Sequence, residues 1–261
     1  MTRAVRPEAG RETAARPAAP PALVQALALV TVIAACSAEP AEPDRQELTV
    51  FVAASLADVA EQVSEQTGLD VTISAAGSSD LVSQVVSGAP ADVLVTADEA
   101  TMARAEEEGV VEEPRPVAVN HPALVVPAGN PAGITGLDDS LHNARLVICA
   151  PQVPCGAAAH ELANLAGVDL QPVSEEPDVT DVLGSVTSGQ ADAGVVYDSD
   201  VLRGGADLER VEVPEASEVT NIYPAALVAG TDHDEAAEAW LDALTGPSGR
   251  EALTDAGFGV P

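Results

Sequence analysis

The sequence contains no lysine and very few aromatic residues. Its 11 basic residues are all arginines, and they face 42 acidic residues, for a formal net charge of -31. A surface with this charge repels nucleic acids and anionic lipids, so neither is expected as a partner. Aromatic residues make up only 2% of the chain, so the core must be built from alanine, valine, leucine and isoleucine. An anionic ligand would have to be held by short-range contacts, because the long-range field opposes it.

The sequence also lacks the spacing of a metal site and the motif of a serine hydrolase. Its four histidines are scattered without ligand spacing, and the acidic runs at 106–108 and 112–113 are expected on solvated surfaces. No G-x-S-x-G motif surrounds Ser55 or Ser78, and no histidine lies in a matching block. An enzyme with either serine as its nucleophile is therefore disfavoured, and no catalytic residue, cation site or cofactor is predicted.

No apolar run is long enough for a comfortable membrane span. The run at 22–35 follows an arginine-containing segment and has the length of a signal-peptide core, so residues 1–35 are predicted to be a signal peptide. The run ends in small residues before Cys36, as in the lipobox of bacterial lipoproteins, which predicts lipidation of Cys36. The alternative is an ordinary signal peptide with an incidental cysteine. Residues 36–46 are polar and contain proline, and they are predicted to form a flexible tether beginning at the lipidated cysteine.

Three cysteines are an odd number for an exported protein. If Cys36 carries the lipid, Cys149 and Cys155 remain, six residues apart across a loop with two prolines. A disulfide between them would stabilise the fold by about 2 kcal/mol, and an oxidising compartment outside the cytoplasm permits it. The alternative is a pair of small buried thiols.

From residue 47 onward, short apolar runs alternate with amphipathic stretches of helical spacing. In the first half, the runs at 48–54, 71–76 and 92–97 predict strands, and the stretches at 56–68, 80–88 and 98–109 predict helices. This alternation predicts an α/β fold with parallel strands. The pattern restarts near residue 123 and ends in two short helices, which indicates two α/β units with a return of the chain at the end.

Two strand-to-helix turns of the first unit carry serine. Ser55 precedes a helix that opens at Leu56, and Ser78 and Ser79 precede one that opens near Asp80. In open α/β sheets such turns line the cleft at the carboxyl ends of the strands. Helix N-termini offer unpaired N–H groups and about half a positive charge each, so several together can bind an anion without lysine or arginine. A serine in this position is more often only a helix cap, and the pattern alone leaves both interpretations open.

Several blocks of the sequence resemble the periplasmic molybdate-binding protein family. The order and spacing agree over about residues 48–258, and the blocks are VFVAASLADVAEQV (50–63), GSSDLVSQVVSGAPADVLVTAD (77–98), PQVPCG (151–156), DV (178–179) and GVVYDSD (194–200). The resemblance implies a type II periplasmic-binding-protein fold, in which two α/β lobes joined by two hinge strands hold a ligand cleft between them. Residues 47–121 and 228–261 would form lobe I and residues 122–227 lobe II, with hinge crossings near 120–124 and 223–228.

The same resemblance implies which residues bind the oxyanion. Ser55 would offer its hydroxyl and N–H, and Ser78 its hydroxyl. Cys155, where family members often have alanine, and Val179 would each offer a backbone N–H, and Tyr197 its phenolic O–H. Such a set contains donors only, so a protonated oxyanion such as hydrogen phosphate would bring an O–H that nothing receives.

The function implied is capture of molybdate, and also tungstate, for the membrane permease and ATPase subunits of an ABC importer. The protein would be an extracytoplasmic monomer that is held to the membrane only by its lipid anchor. One alternative is a binding protein for sulfate or another small oxyanion, which cavity size would distinguish from a molybdate-binding protein. Another is a surface adhesion or sensing module that keeps the fold without transport.

Overall fold

The computed structural model describes residues 47–261. The predicted signal peptide, the predicted lipidation of Cys36 and the predicted tether all lie outside the described residues. Within the described part of the chain, every helix is too short or too polar to cross a membrane.

Residues 47–261 contain ten strands and eight α-helices, joined by loops and short 3-10 helices. The strands are β1 (Glu47–Ala53), β2 (Asp70–Ala76), β3 (Val93–Val95), β4 (Val111–Asn120), β5 (Pro122–Pro127), β6 (Leu146–Cys149), β7 (Ser174–Glu176), β8 (Ala193–Tyr197), β9 (Leu208–Val211) and β10 (Asn221–Val228). The helices are α1 (Ala57–Thr67), α2 (Ser78–Val86), α3 (Glu99–Glu107), α4 (Pro154–Ala166), α5 (Val179–Thr187), α6 (Asp198–Gly204), α7 (Asp234–Thr245) and α8 (Pro247–Asp255).

The strands form two five-stranded sheets. The first has the order β2-β1-β3-β10-β4 and the second β7-β6-β8-β5-β9. Three neighbouring strands of each sheet are parallel, with β1 between β2 and β3 in the first sheet and β6 between β7 and β8 in the second. In the first sheet β10 is antiparallel to both β3 and β4, and in the second β5 is antiparallel to both β8 and β9. Each sheet with its flanking helices forms one lobe, called here the first and the second lobe. This two-lobed α/β arrangement confirms the predicted fold class.

Each lobe has an apolar core made almost entirely of aliphatic residues. Few aromatic side chains contribute to these cores. The largest is Trp240 on α7, which is fully buried in the first lobe. Its indole Nε1–H donates to Ser64 Oγ on α1 at 2.9 Å, so the polar atom of this side chain has a partner inside the core. The core therefore agrees with the composition, in which small and branched aliphatic residues replace aromatic ones.

The chain crosses between the two sheets twice. β4 ends at Asn120 and β5 begins at Pro122, within the predicted crossing at 120–124. The second crossing differs from the prediction, because the ladder between β10 and β4 already begins at Asn221, opposite Asn120. Residues 221–227 therefore pair with the first sheet, whereas the predicted boundary placed them in lobe II. The physical reason is that both hinge strands hydrogen-bond to each other directly at the crossing, so β10 starts there.

Candidate anion-binding site

A small cavity of about 20 Å³ lies between the two lobes. All five residues that the sequence predicts to contact an oxyanion line it, and all five are buried. The structure thus brings together side chains that are up to 142 positions apart in the chain, from Ser55 to Tyr197. The complete lining is Ala53, Ala54, Ser55, Ala76, Gly77, Ser78 and Ala97 from the first lobe and Val153, Pro154, Cys155, Pro177, Asp178, Val179 and Tyr197 from the second.

Four helices begin at this cavity. A single 3-10 turn, Ala54–Leu56, leads into α1, and α2, α4 and α5 start at Ser78, Pro154 and Val179. The first N–H groups of a helix have no acceptor within the helix, and the helix dipole places partial positive charge at that end. The cavity is therefore surrounded by donors and by a favourable field for an anion, although the protein as a whole is strongly negative.

The start of α4 leaves one N–H free for a ligand. Pro154 occupies the first helical turn and has no N–H, and Gly156 N–H donates to Val153 O at 3.0 Å. The N–H of Cys155 lies between these two positions and has no acceptor within the helix. Cys155 also forms a disulfide with Cys149, with 5.6 Å between their Cα atoms. This bond ties the end of β6 to the first turn of α4.

The start of α5 is arranged in a similar way. Asp178 caps the helix, and its carboxylate accepts hydrogen bonds from the N–H groups of Thr180 at 2.8 Å and Asp181 at 3.2 Å. The cap thus satisfies the second and third donors of the helix and leaves the first, the N–H of Val179. The Asp178 carboxylate, although it lines the cavity, is neutralised in part by these contacts and by the dipole of α5.

Two of the cavity's hydroxyl oxygens already accept a hydrogen bond from the protein. Ser78 Oγ accepts from Ala97 N–H at 3.0 Å, and Tyr197 Oη accepts from Asn221 Nδ2 at 3.2 Å. Because one lone pair of each oxygen is occupied, the hydroxyl hydrogen is left to donate elsewhere. These contacts orient both hydroxyl groups as donors.

Ser55 has a different partner, the hydroxyl of Tyr223. The two oxygens lie 2.9 Å apart, and either group can donate. When Tyr223 donates, the Ser55 hydroxyl is free to donate to a ligand, in the same manner as Ser78 and Tyr197. Burial raises the pKa of Tyr223 above its usual value, and it raises the pKa of Tyr197 well above it. Both phenols therefore keep their protons at neutral pH and remain donors.

The sequence analysis missed Asn221 and Tyr223, which do not line the cavity but hydrogen-bond to hydroxyl groups of Tyr197 and Ser55 that do. Both lie on the hinge strand β10, two positions apart, so their side chains lie on the same face of the strand. Asn221 Nδ2 also donates to Ala97 O at 3.1 Å. A signal was present in the run NIYPAALV, because two buried polar groups at alternate positions of an apolar strand need partners. Their partners could not be identified without the fold.

The lobes touch each other beside the cavity. Ser79 Oγ on α2 donates to Gln152 O of the second lobe at 3.1 Å, and Gly77 lies against Pro177. Ser79 was predicted only as a neighbour of the site, and the structure gives it a contact between lobes.

Within residues 47–261, no group of three or more His, Cys, Asp or Glu side chains is placed to hold a metal ion.

Comparison with known proteins gives a consistent result. A family model described as bacterial extracellular solute-binding protein matches residues 48–259. A molybdate-binding protein of Mycobacterium tuberculosis is 38% identical over 253 residues, which cover 92% of this chain and 97% of the relative. The molybdate-binding protein of Escherichia coli is 32% identical over 234 residues, covering 83% and 90%. The solved structure of the periplasmic molybdate-binding protein of Azotobacter vinelandii matches with a TM-score of 0.71 at 24% identity, over 82% of this chain and 99% of that one, and supports the fold alone.

Proposed function

This chain belongs to the family of bacterial extracellular solute-binding proteins, and from this membership we propose that it captures molybdate for an ABC importer. The membership agrees with the resemblance found in the sequence and identifies the chain as an extracytoplasmic binding protein rather than an enzyme. The choice of ligand is supported by the names of its relatives, which are molybdate-binding proteins, and by the chemistry of the cavity.

The observation that carries the proposal is the meeting of oriented neutral donors in one cavity. Ser55, Ser78 and Tyr197 supply hydroxyl groups, and Cys155 and Val179 supply N–H groups at helix starts. Of the described residues that line the cavity, none is basic. A dianion would thus be held by dipoles and hydrogen bonds, without a buried counter-charge that would slow its release.

The number of donors is sufficient for tight binding. Each hydrogen bond to a charged group contributes roughly 1.5–3 kcal/mol net. Five or more such bonds, reduced by the cost of association, can reach about -8 kcal/mol, which corresponds to a micromolar or better dissociation constant. No further cofactor is required, and the bound oxyanion is the cargo.

The donor set also predicts selectivity. A fully deprotonated dianion such as molybdate, tungstate or sulfate accepts hydrogen bonds at every oxygen. Hydrogen phosphate brings one O–H that none of the five proposed donors can receive, and the carboxylate on the cavity wall, Asp178, is oriented by the two N–H groups that bond to its Oδ1. An unreceived O–H in a buried site costs binding free energy, so phosphate is expected to bind poorly. Cavity size then separates sulfate from the larger molybdate and tungstate.

Titration calorimetry of the mature chain tests the proposal. Molybdate, tungstate, sulfate and phosphate are titrated separately into the protein at neutral pH. We expect tight binding of molybdate and tungstate, much weaker binding of sulfate and none of phosphate. Equal affinity for sulfate and molybdate would contradict the assignment of molybdate and favour a general oxyanion-binding protein.

Removing one oriented hydroxyl is expected to weaken molybdate binding without unfolding the protein. Ser78→Ala and Tyr197→Phe each delete one charge-assisted hydrogen bond, so the dissociation constant should rise about tenfold. Ser83→Ala is the control, because Ser83 lies on the same helix as Ser78, is exposed, and has a hydroxyl group that donates to Ser79 O on its own helix. Calorimetry gives the affinities and urea unfolding the stabilities. Parent-like affinity in both site variants would show that the ligand binds elsewhere.

The remaining parts of the proposal concern the context of the protein. We propose that Cys36 is lipidated and anchors the protein, that the protein acts as a monomer, and that it delivers its ligand to a membrane permease with an ATPase subunit. Mass spectrometry of the protein extracted from membranes would test the lipid, because a diacylated N-terminal cysteine has a characteristic added mass. An unmodified chain beginning after another cleavage site would contradict it.

A further inference from the structure

Arg203 lies on α6, outside the cavity wall, and its guanidinium reaches two of the turns that carry ligand-binding groups. Its Nη1–H donates to Ala54 O at 3.3 Å, directly before Ser55. Its Nη2–H donates to Thr180 Oγ1 at 3.2 Å, directly after Val179. The contact with Ala54 crosses from the second lobe to the first, whereas the contact with Thr180 stays within the second lobe.

A third turn is connected to Arg203 through Asp200. The Asp200 carboxylate pairs with Arg203 Nη2 at 2.8 Å, and it also accepts a hydrogen bond from the N–H of Tyr197 at 3.0 Å. The carboxylate is almost completely buried. Burial raises the pKa of Asp200 to about 6, and Arg203 acts against this rise. At neutral pH the carboxylate is therefore ionised, and it neutralises the guanidinium.

We propose that Arg203 is a positioning residue that holds the two lobes closed around the bound anion and thereby sets its rate of dissociation. Its three partners lie next to three of the five proposed ligand-binding residues. Ala54 precedes Ser55, Thr180 follows Val179, and Asp200 accepts from the N–H of Tyr197. Because Asp200 neutralises its charge, Arg203 acts on the geometry of the donors and not as a counter-ion for the ligand. This inference rests on the proposed function of the same cavity.

The physical reason is that the contact with Ala54 exists only while the lobes touch. The Arg203 side chain retains 22% of its exposure, so water can replace the Ala54 carbonyl when the lobes separate. A contact made in one conformation and absent from the other shifts the equilibrium toward the first. The anion can leave only from the open conformation, so the loss of the contact should act mainly on the dissociation rate.

The experiment compares two arginine variants that remove the same charge from the same lobe. Arg203→Met removes the contact that Arg203 makes across the lobes with Ala54 O. Arg210→Met is the matched control, because Arg210 pairs with Asp198 at 2.6 Å within the second lobe. Molybdate dissociation is followed by stopped-flow displacement with excess tungstate. We expect the dissociation rate to rise about tenfold in Arg203→Met, with association within about twofold of the parent and no change in Arg210→Met.

Two further variants separate positioning from folding. Arg203→Met leaves Asp200 buried without its partner, so Arg203→Met with Asp200→Asn is the second test variant if the single variant unfolds. Arg203→Lys is expected to lie between the parent and Arg203→Met, because a single ammonium cannot contact all three partners. An unchanged dissociation rate in the Arg203 variants, or an equal rise in Arg210→Met, overturns the inference.

A failure of the proposed function would be recognised separately. A parent protein that binds neither molybdate nor sulfate contradicts the function, and the inference is then tested without ligand by small-angle X-ray scattering. Loss of the Arg203 contact is expected to increase the radius of gyration relative to Arg210→Met, because the lobes separate more often. Equal radii would overturn the inference whatever the ligand is.

Discussion

Replacing Gly77 with alanine is expected to weaken molybdate binding about a hundredfold while both lobes stay folded. Gly77 lies between β2 and α2 on the cavity wall, and a Cβ atom at this position would lie 2.6 Å from Pro177 O in the other lobe. A carbonyl oxygen of the main chain cannot move aside as a flexible side chain can, so the lobes could not close fully. The backbone of Gly77 has φ -58° and ψ 133°, which alanine adopts without strain. The cost should therefore fall on closure and not on folding of the first lobe.

Gly184→Ala is the matched control for this prediction. Gly184 lies in α5 of the second lobe, and a Cβ atom there would meet nothing within 4 Å. Alanine in a helix is favoured over glycine by about 1 kcal/mol, so this variant should be slightly more stable and bind as the parent does. Calorimetry and urea unfolding measure both quantities. A Gly77→Ala protein with the parent's affinity would mean that the closed arrangement of the lobes is not the one that binds the anion.

Removal of the disulfide is expected to lower the free energy of unfolding by about 2 kcal/mol and to weaken anion binding. The bond constrains the short loop from Cys149 to Cys155, and Cys155 lines the cavity. The same loop packs tightly, because a Cβ atom at Gly156 would overlap the carbonyl oxygen of Ala150. Without the bond, the first turn of α4 gains freedom, and its N–H must be ordered again when the ligand binds.

The measurement uses Cys149→Ala with Cys155→Ala beside the parent, each with and without a dithiol reductant. Reduction converts the disulfide into two thiols while the reductant forms its own disulfide. The parent should lose stability and affinity on reduction, and the double variant should be insensitive to the reductant. If reduced and oxidised parent bind molybdate equally, the disulfide stabilises the fold only and has no part in arranging the site.

The alternation of strands and helices was predictable where the spacing of apolar residues was regular. The runs at 48–54 and 71–76 agree closely with β1 and β2, and the helical spacing at 56–68 agrees with α1. β4 was missed, because its sequence VEEPRPVAVN contains two prolines and three charged residues. The structure explains its composition, since β4 lies at the edge of the first sheet, where proline interrupts no ladder on the outer side.

The end of β8 shows how side chains decide a boundary. The segment AGVVYDSD at 193–200 is predicted to contain a strand, and that strand, β8, stops at Tyr197, where α6 begins at Asp198. The reason is a local hydrogen bond, in which Asp200 accepts from the N–H of Tyr197 and starts the helix. An acidic residue three positions after a strand end is a capping signal, so this boundary could have been predicted from the sequence.

Physical chemistry alone predicted only some of the residues of the site. Turn position made Ser55 and Ser78 candidates only, and the resemblance to a family supplied the binding role of all five predicted residues. Tyr223 lies 168 positions from Ser55, its hydrogen-bond partner. No local pattern reports a contact of that range, because it depends on how the second crossing returns the chain to the first sheet. Arg203 was missed for the same reason.

The single tryptophan of the sequence gives the two lobes different optical properties. Trp240 sits deep in the first lobe, and the second lobe has none. Indole emission during denaturation therefore reports on one half of the molecule, whereas far-ultraviolet circular dichroism reports on both. Coincident curves from the two signals would show that the halves melt as a single cooperative unit, and a displaced pair of curves would show that each half melts on its own.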